Sequence, residues 1–204
     1  MEIPAKEYLQ TLLCTAHQKF NDFQRVELDS SCFDISYIPT KKRNFMGLKE
    51  GISGLAEMCK YKVKESATIR SDSMYYHKHY KVDGRVVKID SFVAGHDRLV
   101  CSYFAYYEGD YRFLFPYSRL GTKSWSYMFV THYHNGKVFE EYMVEGNQIV
   151  YEKYDYSNKD KANYYYINYV PTGTYPVLEE KRGYYLLDTL EYVEEEYFVW
   201  AQEV

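Results

Sequence analysis

"THYHNGKVFEEYMVEGNQIVYEKYDY", residues 131 to 156, decides the fold class of this chain. Asn135-Gly136 is the dipeptide of a type I′ hairpin turn, in which both central residues take positive φ and the turn's twist matches that of the flanking strands. "EGNQ" a few residues on is a second turn signal. The residues between the turns are rich in Val, Ile, Tyr and Phe, which suit a pleated, half-buried surface. Working outward, Asp83-Gly84 is another type I′ dipeptide, and "AGHD", "YEGD", "RLGTK", "SNKD", "PTGT" and "KRG" continue the series. Spacings of about 9 to 15 residues between turn signals are the rhythm of an antiparallel meander.

Before residue 71 the pattern is different. Leu9, Leu12, Leu13, Ala16, Phe20 and Phe23 recur on one helical face, which predicts a helix over about 5 to 25. "SSCFDISYI" alternates and then meets Pro39, as a strand closed by a turn would. Phe45, Leu48, Ile52, Leu55 and Cys59 predict a second helix, weakened by Gly51 and Gly54. Helices first and strands after make the chain α+β: N-terminal helices packed on a large, curved antiparallel meander. The expected organisation is a single domain, 1–204, with a helical and strand part to residue 70, the sheet over 71–185 and a closing element over 186–204. For that element Leu186, Leu190, Val193, Tyr197 and Trp200 favour a helix, with a strand pair as the alternative.

Size and composition exclude several classes. A chain of 204 residues buries a proper core without disulfides or metals. Net charge −4 and a sequence pI near 5.9 argue against a nucleic-acid binder, which would carry a basic face. The acids concentrate at the end of the chain, where Glu179, Glu180, Asp188, Glu191, Glu194, Glu195, Glu196 and Glu203 outnumber Lys181 and Arg182. No run of apolar residues is long enough to span a membrane and the opening lacks a basic leader, so a soluble, unexported, cytoplasmic protein is expected. Cys14, Cys32, Cys59 and Cys101 are too widely spaced for a zinc ribbon or redox pair, and read as reduced, mostly buried thiols.

Candidate chemistry is sparse. "YYHKHY" at 75 to 80 and "THYH" at 131 to 134 each hold an H-x-H pair. With two-residue turns, His77 faces Asp90, His79 faces Lys88, His132 lies beside Phe139 and His134 beside Lys137. Both pairs then project from polar faces, with Tyr76, Tyr80, Val82, Val87 and Ile89 forming the core face of the first hairpin. Phe129, Tyr133, Val138 and Tyr142 would do so in the second. Lys88 and Lys137 would repel a cation, so no metal and no cofactor is expected, and a His77–Asp90 cross-strand contact is the preferred reading. Glu140 and Glu141 point to opposite faces of one strand and cannot act together as acid and base. No nucleophile elbow, P-loop, dinucleotide fingerprint or zincin motif occurs, which reads as a non-enzymatic protein.

Tyrosine is the outlier, at 26 of 204 residues. "YYHKHY", "YFAYY" and "ANYYYINY" carry aromatics on both strand faces, more than one buried face requires. Rigid tyrosines give large contact area at low entropy cost, so Tyr106, Tyr107, Tyr164 and Tyr166, with Glu194, Glu195 and Glu196, are the expected partner-binding residues. The stretches "YKVDGRVVKID", "THYHNGKVFEEYMVEGNQIVYEKYDY" and "NYYYINYVPTGTYP" resemble in texture the Tyr-rich, hairpin-rich immunity proteins that bacteria encode beside polymorphic toxins. The resemblance spans about residues 74 to 178. It implies a cytoplasmic protein that binds a cognate toxin domain and blocks its active site, and assigns no residue a role; the acidic C-terminal segment would suit a basic toxin domain. Two other readings stand beside it: a curved sheet holding a small apolar or aromatic ligand, with or without enzymatic action, and a structural or host-directed accessory factor.

Overall fold

The structure is a computed structural model that describes residues 4–25, 33–40, 47–69, 73–94, 97–124 and 126–199. Within them one antiparallel sheet runs in sequence order: β1 (Asp34–Thr40), β2 (Tyr75–Val82), β3 (Arg85–Val93), β4 (Arg98–Glu108), β5 (Tyr111–Ser118), β6 (Met128–His134), β7 (Lys137–Glu145), β8 (Gln148–Asp155), β9 (Lys161–Tyr169), β10 (Val177–Leu186) and β11 (Tyr192–Val199). The helices are α1 (Lys6–Asp22) and α2 (Ile52–Lys60). β1 and β11 do not pair, so the sheet is open. The expected α+β meander is therefore present.

Cross-strand partners share a face, and the register separates two. One face carries the row Phe113, Val130, Tyr142, Tyr151 and Ile167. α1 covers it with Leu9, Leu12, Leu13, Ala16 and Phe20, all buried as the helical spacing predicted. Phe20 meets Phe115 with ring centroids 5.5 Å apart, and Lys123 donates to the carbonyls of Phe20 and Asn21, satisfying orphan acceptors at the helix end. Each such buried Leu or Phe contributes about 1.5–3 kcal/mol over its exposed state.

The opposite face is covered by residues 47–60. Leu48 packs on Val86, Ile89, Tyr103, Leu114 and Phe129, and Ile52 on Val138, Tyr154 and Tyr164. Gly51 does not weaken the middle of α2, as the spacing implied, but stands at its N-terminal cap. A Cβ there would overlap the Tyr154 ring. Leu48 lies just before the helix, and Phe45 falls outside the described residues.

The turns at Asp83-Gly84 and Asn135-Gly136 have positive φ at both residues, as type I′ demands. The register they set persists for two pairs only. A bulge then follows in each hairpin, between Tyr80 and Lys81 and between His132 and Tyr133, on the paired register. Beyond it every partner slips by one: His77 opposes Ser91, His79 opposes Ile89 and His132 opposes Glu140. A one-residue slip exchanges the faces of a strand, which overturns the expected His77–Asp90 contact and the expected core faces. His77 and His79 lie on a buried face, not a polar one. Tyr142 packs beneath α1 while Phe129 faces Leu48.

Two further expectations fail at the C-terminal end. Residues 186–199 form no helix; β10 and β11 are a strand pair, the weighed alternative. Their turn is built by Asp188, which accepts from the Thr189 amide, and by Leu190 at φ 58°. "KRG" is no turn either. It lies inside β10, where a bulge follows Arg182 and a Cβ on Gly183 would overlap the Val193 carbonyl oxygen. Pro39 sits within β1 rather than ending it, an edge position where a missing N–H is tolerated.

Candidate functional site

One rung of the second face crosses the sheet from β4 to β11. It runs Tyr107, Arg112, Thr131, Glu141, Glu152, Tyr166, Lys181, Tyr197, each opposite the next. Its middle is buried and its C-terminal end is open.

In the middle, Arg112 is 1% exposed. Its guanidinium donates to Glu50 at 2.5 Å, to the Leu48 carbonyl at 2.9 Å and to Thr131 at 3.1 Å. Tyr133 also donates to Glu50. Glu141 accepts from Thr131 at 2.9 Å and from the backbone amides of Glu50 and Gly51 at 2.9 and 3.1 Å, so a carboxylate occupies the N-terminal approach to α2. Glu152 accepts from Lys49 and Ser53, each at 2.5 Å, and from Tyr154 at 2.7 Å. Burial pushes the Glu141 carboxyl above the usual range. Burial acts on Glu152 too, but the Lys49 charge and bonds from Lys49, Ser53 and Tyr154 outweigh it and hold that carboxyl low. Every carboxylate in this cluster is matched. The cluster clamps residues 48–53 onto the sheet, and no unpaired base faces a space where a substrate would sit.

The α1 face has a smaller counterpart. Glu140, 2% exposed, accepts from Tyr151 at 2.6 Å and Tyr8 at 2.8 Å and meets His132 at 3.0 Å. Glu140 and Glu141 do point to opposite faces. Of the first histidine pair, His77 contacts Ser91 at 2.8 Å. His79 lies beneath Gly47, its Nε2 buried without a hydrogen-bond partner. Burial, with His77 close by, drives the His79 imidazole down to about 3. Asp90 faces the other way and accepts from Ser102, Tyr80 and Lys88. Among the described residues no group of three or more His, Cys, Asp or Glu is placed to hold a metal ion. Cys14 and Cys59 are exposed free thiols and only Cys101 is buried, against the expectation of mostly buried cysteines; Cys32 lies outside the described residues. No helix among them is long and apolar enough to cross a membrane.

A cleft of about 340 Å³ opens between the β6–β7 turn and the end of β8, lined by His134, Lys137, Phe139, Tyr154 and Tyr156. It sits at the sheet's rim. The hydroxyl of Tyr154, one of the lining residues, is committed to Glu152 and Ser53.

The expected partner-binding residues divide. Tyr106 packs beneath α1 against Phe23 and Phe115. Tyr107 starts the polar rung and donates to the Val86 carbonyl at 3.0 Å. Both lie on β4, five strands from β9, roughly 24 Å at ordinary strand spacing. Tyr164 is buried, in edge contact with Tyr185 and Tyr192, and so is not the exposed anchor expected of it. Tyr166 is half-buried and donates to Glu179 at 3.0 Å. Glu194, Glu195 and Glu196 are exposed on β11. The structure brings Tyr166 and these glutamates to one end of the sheet and leaves Tyr106 and Tyr107 elsewhere.

That end holds residues the sequence reading passed over. The Lys181 ammonium lies 5.1 Å from the Tyr166 ring centre and 5.0 Å from that of Tyr197. Tyr197, Phe198 and Val199 are 49%, 50% and 54% exposed. Arg182 is bound to Glu180 and Glu196, and Lys181 to Glu179, whereas Glu194 and Glu195 have no ion-pair partner among the described residues. The run of three acids followed by three aromatic or apolar residues in "EEEYFV" was the available signal, masked by the helical spacing of Tyr197 with Leu186 and Leu190. No family model, no curated protein and no solved structure matches this chain.

Proposed function

We propose that this chain is a non-enzymatic binding protein that recognises a basic partner protein through its C-terminal strands and neutralises it, as an immunity protein neutralises a toxin domain. The observation that carries this reading is the contrast between the middle of the rung and the strand at its C-terminal end. The buried acids are matched, while at β11 two acids without a cationic partner adjoin three half-exposed apolar or aromatic side chains. Exposed aromatics beside unneutralised charge give a partner both anchor area and electrostatic attraction. The alternative of a small-ligand protein draws only on the rim cleft, where the hydroxyl of the lining Tyr154 is already bound to Glu152 and Ser53.

The test is co-expression of the chain with each gene that neighbours its own, scoring growth and then stoichiometric binding of the purified pair. Expected is a neighbour whose product arrests growth alone and is neutralised one-to-one by this chain, with association slowed several-fold by Glu194→Lys and Glu195→Lys. A small molecule co-purifying in the rim cleft, with no neighbouring protein bound, contradicts the reading.

A further inference from the structure

The two edges of the sheet are built differently. On the outer side of β1, Tyr37 and Ser66 exchange both backbone hydrogen bonds, at 2.8 and 2.9 Å, so the segment after α2 covers part of that edge. Pro39 removes another donor from it. β11 pairs with β10 on its inner side, and its outer side meets no strand among the described residues. An edge strand leaves every other N–H and C=O pointing outward, which is a template for a further strand.

From this geometry we infer that the outer edge of β11 takes up an extended, Lys- or Arg-bearing segment of the partner protein as a twelfth antiparallel or parallel strand. The inference rests on the binding role proposed above and names how the partner is held. Three features select the occupant. The register shift between Arg182 and Gly183 leaves Glu195 bulged, so residues 196–199 form the regular stretch of the edge. Glu194 and Glu195, exposed and without cationic partners, border that stretch and favour positive side chains on the incoming strand. The same residues disfavour a second copy of this chain in the registers that oppose acids, parallel in register and antiparallel about Glu195. Strand addition draws affinity from main-chain bonds and specificity from alternate side chains, here meeting Phe198 on one face and Tyr197 on the other.

The experiment uses the full chain and a capped peptide of alternating Lys and Val, with three comparators. These are the same peptide N-methylated at alternate amides, a Glu/Val peptide, and the Glu194→Lys, Glu195→Lys variant of the protein. Fluorescence anisotropy measures binding, and residue-resolved hydrogen exchange locates it. Expected are saturable, salt-weakened binding of the Lys/Val peptide, about tenfold or greater slowing of exchange within residues 196–199, and about tenfold weaker binding after N-methylation or in the variant. Equal binding of the N-methylated peptide, or binding without added protection in β11, overturns strand addition and leaves the basic-partner reading standing. Absence of saturable binding by either Lys/Val peptide, or equal binding of the Glu/Val peptide, overturns both.

Discussion

The centre of the sheet and its C-terminal end are built from similar residues and do opposite things with them. Across β5 to β8, Arg112, Glu140, Glu141 and Glu152 are almost wholly buried beneath α1 on one face and residues 47–53 on the other. Across β10 and β11, Glu179, Glu180, Glu194, Glu195 and Glu196 stand partly or fully in solvent. Burial makes a charge costly unless it is paired, so the centre spends its polar groups on one another and becomes specific and rigid. Exposure makes a charge cheap and leaves it available to a partner. Equal composition thus yields a scaffold in one place and a contact surface in the other.

That comparison breaks most visibly at Arg112. Replacement by Ala takes a donor from Glu50, which keeps only Tyr133, and from the Leu48 carbonyl and Thr131, and the expected loss is about 3–5 kcal/mol in urea unfolding. Arg112→Lys should restore little, because a single ammonium cannot reproduce a fork reaching three acceptors. On the other face, Tyr151→Phe removes one donor from Glu140, which keeps Tyr8 and His132. About 1–3 kcal/mol is expected by the same measurement.

His79 sharpens the contrast through pH. Burial first, then His77, Lys81 and Arg112, hold its folded-state value down to about 3, with Glu65 opposing, against an ordinary 6.5. The unfolded chain therefore binds the proton more readily between those two values. Stability is independent of His79 above about pH 6.5 and falls as pH drops toward 3, by up to about 1.4 kcal/mol per pH unit. Unfolding midpoints from pH 7 to pH 4 should show a shallower decline for His79→Leu than for the natural chain. A matching decline would mean that His79 is solvated in the folded state.

How much of this was legible beforehand follows from which signals are local. Turn chemistry is local, and Asp83-Gly84 and Asn135-Gly136 announced both hairpins correctly. The face of α1 is local too, from Leu9 to Phe20. Bulges are not. Nothing in "YYHKHYKVDGRVVKID" distinguishes a strict ladder from one that slips after two pairs, yet the slip decides whether His79 is wet or buried. The helix expected over 186–204 failed for a related reason. Leu190 and Tyr197 keep helical spacing, but the Tyr185 and Tyr192 rings close on Tyr164 only if the chain turns back as a strand pair, and that long-range contact overrides local propensity. Arg112 inside the apolar run "YRFLF" was a readable sign of a buried charge cluster; Glu50, which meets Arg112, and Lys49 and Ser53, which meet Glu152, are remote in sequence and were not.

The smallest stability effect belongs to β11. Glu194→Lys with Glu195→Lys touches exposed, unpaired side chains, and unfolding free energy should change by less than about 0.5 kcal/mol. Thermal denaturation of this variant beside Arg112→Ala sets the two ends of the scale.

The central claim, a closed centre and an open edge, is tested most directly by residue-resolved hydrogen exchange of the full chain alone. Amides of β6, β7 and β8 should exchange only through global unfolding. The outward-facing amides among residues 196–199 should exchange at nearly the rate of unstructured peptide. Protection of the amides of all four residues 196–199 to the level seen in β7 would show the edge to be covered, and would contradict the claim that it is held open for a partner.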